Sequence, residues 1–261
     1  MKQYDSILFE KEGSVALICF NRPEQFNALS YQMIAELEEA ICDLASDKEI
    51  NVVVFTGKGK AFCAGVDLKD AGDIVKPIDS YWFLARLQSL FNKIANLEIP
   101  TIGAINGLAL GGGFEMSLAF DFLIAGEDVK FGVPEINVGV LPGGGGMSRL
   151  PKKLGLSLAK RLVLLGENLT AAEAHHFGLV YKVVKSEEVL NEAKKVAQVL
   201  AGKPQINVKL AKKVLDKSER MVTYDAMDYE AHAAALLYDT EDRKEGMQAF
   251  LEKRKPVFQG K

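Results

Sequence analysis

Apolar and polar positions along this chain follow two distinguishable periods. Residues 14–20 (SVALICF) form a run rich in strand formers, closed by the turn signal Asn21-Arg22-Pro23. Over residues 30–45 the spacing changes. Met33, Ile34, Leu37, Ile41 and Leu44 fall on one helical stripe, and Ser30 stands where an N-cap is needed. Residues 51–56 (NVVVFT) are continuously apolar up to Gly57-Lys58-Gly59. Residues 99–106 (IPTIGAIN) run the same way up to Gly107, and residues 122–125 form a fourth run. Short continuous runs separated by helices suit strands buried on both faces. The alternation predicts an α/β fold with mostly parallel pairing. A strand, glycine turn and helix follow one another over residues 52–69 and again over 102–121, a similarity of architecture more than of sequence.

From about residue 186 the strand signals stop. Helical patterns cover residues 186–200, 204–218, 222–238 and 240–255. The break at Ala201-Gly202-Lys203-Pro204 divides an α/β core, residues 1–200, from a helical C-terminal region, residues 201–261. Residues 229–237 (YEAHAAALL) are small and apolar around much of the helix, which predicts packing on the core or on another subunit.

Composition narrows the class. The chain has 261 residues, 48% hydrophobic and 26% charged, which excludes a disordered polyanion, a collagen and a coiled-coil rod. Its net charge is −3, and no dense basic run occurs before the last dozen residues, which argues against a nucleic-acid partner. The lysine-rich stretch with Lys209, Lys212, Lys213 and Lys217 reads as a solvated helix face. No apolar run reaches the ~18 residues of a membrane span. The N-terminal MKQYDSILFEKEG carries charges where a signal peptide needs an apolar stretch. Cys19, Cys42 and Cys63 are far apart and form no CxxC, so neither a disulfide framework nor a zinc site is expected. A soluble, reduced, cytoplasmic protein with no membrane partner is the resulting expectation.

The candidate chemistry starts with glycines. Gly111-Gly112-Gly113 follows a strand and precedes a helical run over residues 115–120. A tight turn would explain one such glycine. Three at a helix start also leave backbone N–H groups bare and approachable, as an anion or oxyanion site requires. No G-x-G-x-x-G and no phosphate-binding P-loop occurs in the chain. A second cluster, residues 143–146, follows Leu141-Pro142. Glu115 and Glu135 both lie in apolar sequence. The helix dipole alone could account for Glu115. Two such carboxylates near a glycine turn also form the pattern of a paired acid and base. His175, His176 and His232 fall in helical runs with no partner motif, and Cys63 reads as a small buried hydrophobe.

These motifs together resemble the enoyl-CoA hydratase/isomerase (crotonase) superfamily. The residues that carry the likeness are AFCAGVDLK (61–69), AINGLALGGGFE (104–115), FGVPE (131–135) and GVLPG (139–143). Asn21-Arg22-Pro23 with Asn27-Ala28-Leu29 resembles the family's N-terminal signature. Residues 165–180 and 245–254 resemble its later stretches, so the likeness covers nearly the whole chain. It implies a crotonase-like spiral of ββα units with a C-terminal helical domain that forms trimers, often paired into hexamers. It implies an acyl-CoA thioester as substrate, with coenzyme A carried by the substrate and no separate cofactor or metal.

By the same resemblance, the N–H groups of Val66 and Gly112 would form an oxyanion hole. The Ala64 carbonyl would accept from the CoA adenine, and Val66, Asp67, Leu68 and Lys69 would line the ligand channel. Phe250 and Lys253 match positions that reach CoA, in some members across a subunit boundary. Glu115 would deprotonate water and Glu135 would deliver a proton to C2, giving enoyl-CoA hydratase activity. An enoyl-CoA delta-isomerase using Glu135 alone, another crotonase-superfamily acyl-CoA reaction, an RNA-binding relative and a silent subunit are the competing readings. The glutamate pair favours hydration over isomerisation and over a silent subunit, and the lysine-rich stretch read as a solvated face argues against RNA. Residues 141–149 (LPGGGGMSR) replace the family's more usual Pro-Gly-Ala-Gly-Gly-Thr-Gln-Arg, beside the acyl pocket. Residues 71–81 belong to a stretch that varies among members.

Overall fold

The computed structural model describes residues 3–72 and 74–261. Met1 and Lys2 of the N-terminal stretch, and Asp73 of the variable stretch 71–81, lie outside the described residues. Two sheets and a set of helices build the chain.

The larger sheet holds six strands: β1 (Ile7–Glu12), β2 (Val15–Phe20), β3 (Val52–Gly57), β5 (Thr101–Ile105), β7 (Phe122–Gly126) and β10 (Lys182–Val184), in that spatial order. β1 and β2 are antiparallel, and every other neighbouring pair is parallel. The smaller sheet runs β4 (Ala61–Cys63), β6 (Leu108–Leu110), β8 (Lys130–Gly132) and β9 (Asn168–Thr170). Its first three strands are parallel and β9 is antiparallel.

The helices are α1 (Tyr31–Ser46), α2 (Leu68–Gly72), α3 (Pro77–Ala95), α4 (Gly112–Ser117), α5 (Gly146–Leu154), α6 (Leu156–Leu165), α7 (Ala171–His176), α8 (Val189–Ala201), α9 (Gln205–Ser218), α10 (Thr223–Leu236) and α11 (Glu241–Leu251).

The repeat seen in the sequence is a strand in each sheet followed by a helix: β3–β4–α2, then β5–β6–α4. A third turn of the spiral, β7–β8, ends in the 3-10 turn Pro134–Val138, which carries Glu135. Corresponding positions of successive units therefore stack, and Val66, Gly112 and Glu135 each follow a strand of the smaller sheet.

Burial explains the apolar runs. β3 and β5 are buried at every position. One face of the larger sheet, with Val52, Val54, Ile102, Ala104 and Ile124, packs on Val189, Ala193 and Ala197 of α8. The other face joins Phe20, Phe55 and Ile105 to α1, α3 and the smaller sheet. α1 begins at Ser30, whose hydroxyl accepts from the Met33 N–H at 3.2 Å, and buries the stripe read from the sequence.

α10 and α11 bury little within the chain: only Ala233 in α10, and Asp242 and Ala249 in α11. The C-terminal tail folds back on α11, where the Asp242 carboxylate accepts from the amides of Gln259 and Gly260 at 2.7 and 2.9 Å.

Candidate active site

Glycine geometry assembles the site. Gly111 ends β6 at φ +50°, ψ −128°, a backbone conformation that disfavours any side chain. A Cβ on Gly113 would collide with the carbonyl oxygen of Cys63. Only glycine lets the start of α4 lie against the end of β4. That close approach sets Gly112 beside Val66: a Cβ on Gly112 would stand 3.6 Å from the Val66 nitrogen.

Both amides are free to donate. Leu29 bridges the stretch around Val66, with Leu29 N–H donating to the Gly65 carbonyl at 2.8 Å and Asp67 N–H to the Leu29 carbonyl at 3.0 Å. Val66 N–H between them meets no acceptor among the described residues. Gly112 opens α4, so its N–H has no intrahelical acceptor.

Two carboxylates flank this pair. Glu115, one turn into α4, is only 2% exposed. Its Oε1 accepts the Gly146 N–H at 2.7 Å, at the start of α5. Burial pushes its carboxyl above the ordinary carboxylate range, while the amides of residues 144–146 and the charge of Arg149 oppose that shift. The glycine turn makes the fit possible, since a Cβ on Gly144 would stand 2.7 Å from Glu115 Oε2.

Glu135 Oε1 lies 3.1 Å from where a Cβ on Gly111 would be, and its Oε2 is buried with no hydrogen-bond partner among the described residues. Burial first, and the neighbouring Glu115 charge second, push Glu135 up to about 7. Burial raises both carboxyls, and the amide donors at Glu115 oppose the rise there; two such groups in unlike surroundings can divide acid and base work.

The other sequence-predicted residues fall in different settings. The Ala64 carbonyl accepts no hydrogen bond among the described residues. Leu68 is 81% exposed, and Lys69 opens outward on α2. Asp67, read from the resemblance as lining the ligand channel, is engaged within the chain. It is buried, its Oδ2 takes the Arg22 guanidinium at 2.8 Å, and its Oδ1 accepts the Lys69 N–H at 3.0 Å. Its carboxylate braces the Val66 loop and is held below the usual range chiefly by Arg22.

Phe250 is 82% exposed. Lys253 follows α11 in a left-handed conformation at φ +54°. Their helix is tied to the C-terminal tail, not to the glutamates of the same chain. Cys63 is buried, its thiol pushed up to about 12 by burial. His175 Nδ1 contacts the Val180 carbonyl, away from the glutamates. Among the described residues no cluster of His, Cys, Asp and Glu could hold a metal ion.

Sequence reasoning missed the Gly146 amide, the Arg22 brace and Arg149. A signal for the first was present: four glycines running directly into a helix place a bare N–H at its start. A cavity of about 630 Å³ between α5 and α9 includes Asp121, Arg149, Lys153 and Lys212 but neither glutamate. Neither Val66 nor Gly112 lines it, and Arg149 is a side chain it shares with the surroundings of Glu115.

Comparison with known proteins agrees with this architecture. The family model described as enoyl-CoA hydratase/isomerase matches residues 10–261. A crotonyl-CoA hydratase of Syntrophomonas wolfei is 40% identical over 256 residues, covering 98% of each chain. A short-chain-enoyl-CoA hydratase of Clostridium acetobutylicum is 36% identical, covering 97% of each. The crystal structure of an enoyl-CoA hydratase from Bacillus anthracis superposes with a TM-score of 0.95 at 35% identity, over 98% of this chain and all of the other. Similarity over nearly the full length shows that this chain belongs to the enoyl-CoA hydratase/isomerase family.

Proposed function

We infer that the protein is an enoyl-CoA hydratase, a hydro-lyase that adds water reversibly across the 2,3-double bond of a 2-enoyl-CoA to give a 3-hydroxyacyl-CoA. The observation that carries this reading is the convergence of two unpaired amides, Val66 and Gly112, with the buried carboxyl of Glu115 and the half-buried one of Glu135, around Gly111 and Gly112.

The thioester oxygen accepts from the N–H groups of Val66 and Gly112. Attack at C3 builds negative charge on that oxygen, and each donor contributes about 3–4 kcal/mol of transition-state stabilisation. Glu115 takes a proton from water as its oxygen bonds to C3. Glu135, protonated through pH values up to about 7, transfers its proton to C2. The product gains one water, and a proton must then pass from Glu115 to Glu135 to reset the pair. Dehydration runs the same steps backwards.

An isomerase needs one carboxylate to move a proton along the acyl chain. The buried second carboxylate supports hydration instead. The hydratase relatives from S. wolfei and C. acetobutylicum support a short linear enoyl group. Coenzyme A enters as part of the substrate, and the mechanism uses no separate cofactor and no metal. Ala64, Val66, Asp67, Leu68, Lys69 and Gly112 are the residues assigned to the substrate and its CoA within one chain.

Phe250 and Lys253 reach CoA only if α11 approaches another copy. Val222, Tyr224, Leu236, Tyr238, Phe250 and Leu251 are exposed on the C-terminal helices. Apolar surface of that extent supports self-association as a trimer or hexamer. Among the described residues no helix is long and apolar enough to cross a membrane, and the sequence reading of a cytoplasmic enzyme without nucleic-acid partners is retained as part of the proposal.

The test is turnover of short, medium, branched and aryl 2-enoyl-CoA thioesters, with products identified by mass. Gain of one water, with isotope from labelled water at C2, is the expected result. Formation of a conjugated 2-enoyl-CoA from a 3-enoyl-CoA, without hydration, would replace this reading with isomerase.

A further inference from the structure

Glu115 must be charged to accept a proton, yet it is almost completely buried. Burial of that kind favours the neutral acid. Something nearby has to offset it. The amides of the 144–146 turn supply dipoles, and one full positive charge stands behind them on Arg149.

Arg149 has an unusual setting for an arginine. Its N–H closes the first turn of α5 on the Gly145 carbonyl at 2.9 Å, so the backbone is fixed. Its guanidinium occupies the space a Cβ on Gly145 would fill, and Gly145 sits at φ +112°. The turn therefore wraps the guanidinium on one side and presents Gly146 N–H to Glu115 on the other. Nη2 donates to Asn92 Oδ1 of α3 at 2.7 Å, which holds the side chain in place from outside.

The side chain is half-buried and makes no ion pair with a carboxylate among the described residues. Its charge is attracted to Glu115 through the turn, and Arg220 is the like charge that opposes it. Lys153, further along α5, faces Arg149 as a second cation. Glu115 itself is faced by Arg149 from α5 and by Glu135 from the 3-10 turn. From β4 the only titratable neighbour of α4 is the neutral Cys63 thiol.

We propose that Arg149 is a positioning residue that acts through the glycine turn, holding the Gly146 amide on Glu115 and keeping Glu115 in its charged form. Asn92 is its anchor. Arg149 does not touch substrate. It decides which of the two carboxylates carries the single proton, leaving that proton on Glu135. Residues 144–146 are glycine for this reason: a Cβ on Gly144 or Gly146 would crowd the Glu115 carboxylate, and one on Gly145 would strike the Arg149 guanidinium.

The proposal rests on Glu115 being the base of the hydration proposed above, so its test should not depend on turnover. Infrared titration of the ligand-free protein reads the protonated carboxyl band of Glu115, identified by its absence in Glu115→Gln. In Arg149→Gln the midpoint should rise by about half to one pH unit. Arg149→Lys keeps the charge and should hold the midpoint close to that of the unaltered protein. The acidic limb of kcat/KM should move with the infrared midpoint in each variant.

An unmoved midpoint in R149Q, or equal shifts in R149Q and R149K, overturns the proposal. So does a fall in Tm with no change in either profile, which is what a purely structural arginine would give. If R149Q does not fold, Asn92→Leu replaces it. N92L frees the guanidinium from α3 and should raise the midpoint in the same direction, and an unmoved midpoint there overturns the proposal. Infrared shifts as expected in a protein that hydrates no enoyl thioester would contradict the hydratase reading and leave the electrostatic one standing.

Discussion

Glu135 answers two opposing demands at the scale of one residue. It must hold a proton near neutral pH, and its own fold must tolerate an unpaired buried carboxyl. Its Oε2 has no partner among the described residues, and burial favours the neutral form. Because the folded-state value lies above the unfolded one, the folded chain binds the extra proton. Stability therefore falls as pH rises from about 4.5 to about 7. Glu135→Gln removes that dependence. It should stabilise the protein at pH 8 relative to pH 4 by about 1–2 kcal/mol, a figure reduced for the partial exposure of Glu135 and measured by denaturant unfolding at both pH values.

The same substitution should cost activity. E135Q and E115Q should each lower hydration turnover at least ~100-fold, the scale of a lost general acid or base, in a steady-state assay. Full activity in either would refute the two-carboxylate division of labour. In the unaltered enzyme, kcat/KM should decline as pH rises through about 7, where Glu135 loses its proton. The residue types were legible in the sequence because carboxylates in apolar surroundings stand out. What held Glu115 was not legible. The Gly146 amide and Arg149 lie 31 and 34 positions further on, and only the fold brings them back.

At the scale of elements, the start of α4 is the critical join. Gly113 meets the Cys63 carbonyl so closely that a methyl group cannot enter. Gly113→Ala should lower Tm and abolish activity together, as read by thermal melts and turnover. Gly112→Ala differs in kind. Its methyl would stand 3.3 Å from Leu29 Cδ1 and 3.6 Å from the Val66 nitrogen, contacts that a small shift relieves. The variant should fold with a Tm near that of the unaltered protein and lose activity, because the methyl crowds the two donors. Equal Tm losses in the two variants would contradict this assignment of the glycines.

The long strands of the larger sheet were readable because β3 and β5 are buried on both faces and carry continuous apolar runs. The smaller sheet was not. Its strands are three residues long, too short to express any period. The helix expected over residues 115–120 begins earlier, at Gly112. Glycine propensity hides that start, and packing against β4 overrides it.

On the scale of the whole molecule, the α/β core and the C-terminal helices differ in how well one chain satisfies them. The core is closed. α10, α11 and the 3-10 turn between them leave Tyr224, Leu236, Tyr238 and Phe250 uncovered. Sedimentation or light scattering should give a trimer or hexamer. Leu236→Asp should shift that distribution towards smaller species, and a monomeric unaltered protein would contradict the proposed covering. The sequence pointed to such a surface through the apolar stretch 229–237, but the partner that covers it is not written in periodicity.

Everything at the three scales serves one arrangement, in which a single thioester is gripped by two amides and flanked by two acids. A crystal structure with a 3-oxoacyl-CoA bound tests that arrangement most directly. The thioester oxygen should lie within hydrogen-bond reach of both the Val66 and Gly112 nitrogens, with Glu115 and Glu135 facing C3 and C2. A thioester oxygen held by neither amide, or by one alone with the glutamates facing other parts of the ligand, would contradict it.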